Sequence, residues 1–114
     1  MSHLSILPTV LRDADCLAAS LVSMGHHPVR GGCLRGFAAE AEPVELQVEV
    51  EPGLSLGWAR QRDGSLSLVG DLQRISRSRS LQTLLSDLTR RYASRLALQQ
   101  AETGFQGASI TVLS

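Results

Sequence analysis

Apolar and polar residues alternate along three neighbouring segments in the middle of the chain, at residues 44–50, 54–60 and 65–69. Alternation with a period of two indicates a β-strand with one buried face. The dipeptides PG at 52–53 and DG at 63–64 separate the segments and suit tight turns. The pattern predicts three antiparallel strands in a meander. Their buried face carries Val44, Leu46, Val48, Val50, Leu54, Leu56, Trp58, Leu66 and Leu68.

The opposite face of this meander carries small side chains, namely Ser55, Gly57, Ala59, Ser65 and Ser67. A flat face of small residues lets another element approach closely. We therefore expect it to contact a partner, a second copy of the chain or the second helix.

Two segments have helical periodicity. The first spans about residues 14–24, with Asp13 as a candidate N-cap and Gly25 as a left-handed C-cap. The second follows Ser80, a candidate cap, and ends at Gly104. Its apolar face carries Leu81, Leu84, Leu85, Leu88, Tyr92 and Leu96.

The remaining segments complete the expected fold. Residues 3–10 suit a first strand, residues 33–38 a short strand and residues 108–113 a closing strand, whereas residues 70–79 suggest a polar, basic connector. We predict one α+β domain over residues 1–114, in the order β-α-β-β-β-α-β. An antiparallel sheet of about five strands carries both helices on one face in two layers, and the first and last strands pair within it.

Charge and composition narrow the function classes. All eleven basic residues are arginines, a bias for which a GC-rich genome is the simple explanation, and they balance eleven acidic residues to a net charge of zero. A neutral chain is not drawn in bulk to nucleic acid or to anionic lipid. No apolar run approaches the roughly 20 residues that span a bilayer. Without a secretory signal and with only two cysteines, a cytoplasmic location is expected.

Several short segments resemble a family known as hypothetical chloroplast reading frame thirty-five, of cyanobacteria and algal plastids. The segments are MSHLS (1–5), DADCL (13–17), VR (29–30), LRGF (34–37), LGW (56–58), DG (63–64), LVGDL (68–72), RYA (91–93) and GFQGA (104–108). The resemblance spans nearly the whole chain in the right order. It implies a photosynthetic host and a cytoplasmic or stromal location, and it implies no particular activity.

Two groups of residues invite a ligand hypothesis. Cys16, His26, His27 and Cys33 are candidate metal ligands, but their spacing lacks the two close pairs of structural zinc sites, so no metal is predicted. Arg30, Gly31, Gly32 and Arg35 are candidates for binding an anion or cofactor. The spacing of a P-loop is absent, and turn glycines explain the pair more simply. No cofactor is predicted.

The charged residues segregate along the chain and suggest a surface for a protein partner. The candidates are Glu45, Glu49, Arg74, Arg77, Arg79, Arg90 and Arg91. Because no catalytic constellation is recognisable, we favour a non-enzymatic interaction or assembly module over an enzyme, and self-association is compatible with this. One alternative is a small-molecule or anion-binding domain, with or without enzymatic activity, that uses Arg30, Arg35 and the loop of Gly31 and Gly32. The other is an RNA-binding domain that uses the arginine-rich second half. The chain lacks the aromatic platform typical of single-strand binding, which disfavours the latter.

Overall fold

The computed structural model describes residues 4–35 and 41–107, which form seven strands and three helices. The strands are β1 (Ser5–Leu7), β2 (Val29–Arg30), β3 (Cys33–Arg35), β4 (Ala41–Pro43), β5 (Leu46–Glu51), β6 (Leu54–Arg60) and β7 (Leu66–Gly70). The helices are α1 (Ala14–Ser23), α2 (Leu72–Arg77) and α3 (Arg79–Gly107).

Among the described residues, five strands form an antiparallel sheet in the order β1-β7-β6-β5-β2. The predicted meander is β5, β6 and β7, with Leu46 opposite Trp58 and Trp58 opposite Leu68. β1 pairs with β7, with Ser5 opposite Gly70, so the first strand joins this sheet as predicted. The α+β class is confirmed, whereas the closing strand predicted at 108–113 lies outside the described residues.

One face of the sheet carries the main core. Leu46, Val48, Leu56, Trp58 and Leu66 pack there against buried residues of α1 and α3. The helical residues of this core include Cys16, Leu17, Leu21, Leu81, Leu88 and Tyr92. Burying each large apolar side chain contributes roughly 1.5–3 kcal/mol before conformational entropy is subtracted. The prediction that both long helices cover this face is confirmed.

The ends of α1 follow the predicted signals. The Asp13 carboxylate accepts a hydrogen bond from the Cys16 backbone amide at 3.0 Å. Gly25 has a φ of 90°, and the His26 amide donates to the Leu21 carbonyl at 3.0 Å. This pairing satisfies a carbonyl that the helix leaves free and stops the helix at a left-handed glycine.

The predicted connector at 70–79 is wrong, because these residues include the helix α2. The Asp71 carboxylate caps that helix by accepting from the Arg74 amide at 3.2 Å, and Ile75 anchors it in the core. The cap of α3 is also displaced from the prediction. Ser78, rather than Ser80, accepts from the Leu81 amide at 3.2 Å.

Helix α3 continues to Gly107 and does not end at Gly104 as predicted. A glycine within a helix costs roughly 1 kcal/mol relative to alanine, which a long helix can absorb. The 29 residues of α3 extend for about 43 Å at the usual rise of 1.5 Å per residue. The helix is therefore much longer than the strands on which it packs.

A bent β-ribbon builds the opposite side of the molecule. β2 pairs with β5 and β3 pairs with β4, and one unbroken register runs through both pairs of strands. The ribbon bends at Gly31 and Gly32, whose φ angles are 75° and 85°. Residues other than glycine rarely adopt such angles, which explains why glycines occupy the bend. Backbone bonds from Gly31 to Glu45 and from Val44 to Gly32 cross the bend at 2.9 and 3.0 Å. We call the outer half of the ribbon, β3 and β4, the arm.

The arm folds over the second face of the sheet. Leu34 and Val44 pack there against Ala59 and Val69, and Leu4 lies beside them. Gly57 and Ser67, predicted to lie on a small-sided face, are buried here. Another element does approach this face closely, but it is the chain's own ribbon and not the expected partner, second copy or second helix. The placement of Val44 with the leucines is wrong, because the bend turns its side chain to the opposite face.

Candidate functional site

An apolar groove lies between the β1 edge of the sheet and helix α3. Its volume is about 310 Å³. It is lined by Leu7, Thr9, Val10, Leu11, Trp58, Leu68, Leu85, Leu88 and Thr89. Apart from two threonines, every lining residue is apolar. We refer to this feature as the apolar groove.

Large apolar side chains border the apolar groove and face solvent. Val10 is 87% exposed and Leu7 is 45% exposed, whereas Ile6 lies opposite Val69 and faces the other side of the sheet. Within the described part of the chain, β1 pairs with β7 alone, so its outer edge carries no neighbouring strand. An unpaired strand edge beside exposed apolar residues is a common template for strand addition.

The loop that carries Val10 is tied to the adjacent strand. The Thr9 hydroxyl donates to the Leu66 carbonyl and accepts from the Leu11 amide at 3.0 Å. The Leu66 amide donates in turn to the Leu11 carbonyl at 2.7 Å. These bonds lie on both sides of Val10 in the sequence, so its side chain is presented by an ordered backbone.

Helix α3 fixes the end of the same loop. The buried Tyr92 hydroxyl accepts hydrogen bonds from the Arg12 and Asp13 backbone amides at 3.0 and 2.9 Å. Both amides precede α1, where helices leave donors unpaired. Tyr92 therefore joins the start of α1, the Val10 loop and α3 into one unit.

A second cavity, of about 330 Å³, lies under the arm on the other face of the sheet. Its polar and charged lining residues are Cys33, Arg35, Gln47, Ser55, Asp71 and Arg74, and its other lining residues are Leu4, Leu34, Gly53 and Leu54. We refer to it as the polar groove. It brings together Arg35, a candidate anion-binding residue, Cys33, a candidate metal ligand, and Arg74, a candidate partner-binding residue.

A third cavity, of about 520 Å³, adjoins the polar groove and shares Gln47 and Ser55 with it. His26, His27 and Glu49 also line this histidine pocket. The Gln47 amide group donates to the Gly31 carbonyl at 2.8 Å, which holds it against the bend of the ribbon. His26, His27 and Glu49 therefore line a cavity that adjoins the one lined by Arg35.

The predicted anion site at residues 30–35 does not form one cluster. Arg30 pairs with Asp15 of α1, and Gly31 and Gly32 form the bend of the ribbon. Arg35 alone of this set lines the polar groove. The positive φ angles of Gly31 and Gly32 support their interpretation as turn glycines.

The four candidate metal ligands are also dispersed. Cys16 is fully buried in the main core, where burial raises the pKa of its thiol, whereas Cys33 is exposed on the arm. Across residues 4–35 and 41–107, no three Cys, His, Asp or Glu side chains come close enough to hold a metal ion.

The predicted partner-binding charges are divided among several local pairs. Glu45 forms a two-bond pair with Arg60, at 3.1 and 2.5 Å. The hydrogen bond lowers the pKa of Glu45 and raises the pKa of Arg60. Arg74 lies 3.6 Å from Glu51, and Glu49 accepts from the Gly53 amide at 3.1 Å.

The arginines of the last two helices are exposed. Arg90 pairs with Asp87, and Arg91 donates to the Ser23 hydroxyl at 3.3 Å. Arg77 and Arg79 have no ion-pair partner among the described side chains. The seven candidate residues therefore do not form one continuous charged surface. No pattern in the sequence pointed to the exposed Val10 as a contact residue.

No described helix combines the length and the apolar character needed to cross a membrane.

The fold and the sites can be set beside known proteins. Neither a curated protein nor a solved structure matches this chain. A family model described as "Protein of unknown function (DUF1257)" matches residues 20–112, which is most of the sequence. That span includes the end of α1, the ribbon, the meander, α2 and α3, but not β1. The chain belongs to the DUF1257 family.

Proposed function

We propose that the chain is a protein-interaction module that docks a partner along the apolar groove and the β1 edge. The observation that carries this proposal is the exposure of Leu7 and Val10 beside an apolar cavity, next to a strand edge with which no other described strand pairs. Contiguous exposed apolar residues are unusual on a monomeric protein and mark sites of association.

The partner is an extended segment with alternating apolar side chains. Such a segment adds backbone hydrogen bonds to β1 and places every second side chain in the apolar groove. Thr9 and Thr89 are the polar groups of the lining, so the groove suits aliphatic or aromatic side chains rather than charged ones. The loop around Val10 is already ordered by its hydrogen bonds, which lowers the entropy cost of binding.

The family resemblance supplies a cellular setting for this module. It supports a role in a photosynthetic cell, in the cytoplasm or the plastid stroma, as part of the assembly or operation of a larger complex. A role as an enzyme is not favoured, because the apolar groove offers no nucleophile, acid or base.

The test compares two exposed valines. Val10→Gln changes the groove, whereas Val22→Gln changes a valine on α1 that is 60% exposed and lies outside the groove. Losing the burial of one valine costs about 1.5 kcal/mol, or roughly tenfold in affinity. We expect proteins captured from a cyanobacterial lysate by the unaltered chain to be lost with Val10→Gln and retained with Val22→Gln.

A photo-crosslinking amino acid at position 10, with position 22 as the control, identifies what lies against the groove. A crosslink from position 10 to an extended segment of another protein supports the proposal. A captured set that is identical for both valine variants would overturn it. A crosslink only to a second copy of the chain, with sedimentation velocity showing a dimer that Val10→Gln dissociates, would also overturn it in favour of self-association.

A further inference from the structure

The polar groove has a chemical character that the docking surface does not explain. It lies under the arm, on the face of the sheet opposite the apolar groove, and several parts of the chain line it. Arg35 comes from β3, Ser55 from β6, and Asp71 and Arg74 from the start of α2. The fold thus brings together groups that are up to 39 positions apart in the sequence, from 35 to 74.

Two arginines line this groove. Arg35 has no ion pair or side-chain hydrogen bond to the described residues. Among the described side chains, Arg74 has one ion pair, to Glu51 at 3.6 Å, which is long for a charge-assisted hydrogen bond. Both groups therefore keep donors available for a bound oxyanion.

The same groove offers an acceptor for a second polar group. One Asp71 carboxylate oxygen accepts from the Arg74 amide at 3.2 Å, which leaves further lone pairs on the carboxylate. The Ser55 hydroxyl and the Gln47 amide add neutral polar groups to the wall. Two arginines and one aspartate line the groove, and Glu51 beside Arg74 brings the local formal charge to zero, which suits a ligand with one anionic group and one donor better than a doubly charged phosphate.

We infer that the polar groove binds a small carboxylate that also carries a hydroxyl or amino group. The carboxylate lies between Arg35 and Arg74, and the hydroxyl or amino group donates to Asp71. A cavity of about 330 Å³ is large enough for a compact metabolite of this kind. This inference is independent of the proposed docking surface, so either can fail without the other.

The reactivity of Cys33 can measure whether a ligand occupies the polar groove. Its exposed thiol lines the polar groove, whereas Cys16 is 0% exposed. A thiol reagent therefore labels Cys33 in the native protein, and a bound ligand slows that reaction. The probes are L-serine and L-malate, with acetate and inorganic phosphate as comparison anions.

We expect L-serine or L-malate at millimolar concentration to slow the labelling of Cys33. Arg35→Gln and Arg74→Gln should each weaken this protection by about tenfold or more, the usual value of a hydrogen bond to a charged group. Arg62→Gln removes an exposed arginine outside the groove and should leave protection unchanged. Asp71→Asn keeps a capping side chain and should bring L-serine down to the level of acetate.

Three outcomes would overturn the inference. The first is the absence of protection by any hydroxy or amino carboxylate while titration calorimetry also shows no heat of binding. The second is equal protection by acetate and inorganic phosphate, which indicates nonspecific screening of the arginines. The third is equal loss of protection in Arg62→Gln and Arg35→Gln.

Discussion

Gly57 allows the bent ribbon to lie close to the sheet, and substitution of this glycine tests that packing directly. A β-carbon added at Gly57 would lie 2.7 Å from the Val44 Cγ1 and 3.4 Å from its Cβ. Valine has one short, β-branched side chain and cannot swing away as a long side chain can. Gly57→Ala therefore forces the ribbon or the sheet to move. Overpacking of this kind typically costs about 1–3 kcal/mol.

The partner substitution has the opposite effect on volume. Val44→Ala removes two methyl groups from a buried position, at about 0.8 kcal/mol each plus a term for the space left behind. We take about 2 kcal/mol for each single variant. In the double variant the new methyl group enters the space that Val44 vacates, so the total should stay near 2 kcal/mol instead of 4. The coupling energy between the two sites is then about 2 kcal/mol.

Urea unfolding measures this cycle. The single tryptophan, Trp58, is buried between the sheet and the helices, and its fluorescence reports unfolding. With a slope of about 2 kcal/mol per molar urea, each single variant should lower the midpoint by about 1 M. Additive single effects, within about 0.5 kcal/mol, would show that Val44 and Gly57 are not in contact. The placement of Val44 and of this part of the ribbon against the second face of the sheet would then be wrong.

Three further predictions follow from contacts within the core and at its edges. Tyr92→Phe leaves two backbone amides before α1 without their acceptor and should lower the free energy of unfolding by about 1–2 kcal/mol, as measured by urea denaturation; an unchanged midpoint would contradict the hydrogen bonds. A thiol reagent should label Cys33 in the native state and Cys16 only after unfolding, as counted by mass spectrometry; early reaction of both would contradict the buried position of Cys16. The folded-state pKa of Glu45 is lowered by the bond from Arg60, so its contribution to stability is present above the unfolded pKa of about 4.3 and is lost as pH falls through the lower folded value. Glu45→Gln should therefore make the loss of stability below about pH 4.3 shallower, and an identical acid limb in both proteins would refute this.

The elements that the sequence predicted well have complete local signals. The meander has strict alternation and two turn dipeptides, and α1 has both a capping aspartate and a left-handed glycine. These features depend on neighbours within a few positions, so they can be recognised without knowledge of the tertiary structure. The three central strands of the sheet, with two helices on one face, follow from them, whereas β2 was not predicted.

The missed features depend on contacts between distant residues. Helix α2 has six residues and one buried anchor, Ile75, which is too short for helical periodicity to be visible. Asp71 is a typical N-cap residue, but the arginines and serines that follow it make the segment look like a polar loop. The side of the sheet on which Val44 lies is set by the bend at Gly31 and Gly32, which are joined to it across the ribbon. Alternation along one strand cannot predict a bend that the opposite strand imposes.

The candidate sites were the least predictable part. Arg35 and Arg74 line one cavity only because the arm folds back toward the start of α2. Val10 follows Thr9 and precedes Leu11, so its sequence neighbours resemble those of a buried strand residue. Its exposure depends on the hydrogen bonds that tie the loop to Leu66, and these join residues more than fifty positions apart.

The pairing of β1 with β7 has a consequence for the order of folding. Ser5 lies opposite Gly70, so closing this edge of the sheet joins residues that are 65 positions apart. The hairpins of the meander close through short turns, and such local contacts form with a smaller loss of chain entropy than distant ones. The apolar groove needs β1, the loop after it and α3 in place together. A partner that binds this groove therefore recognises a chain that has completed folding, and nascent chains that lack α3 do not compete for it.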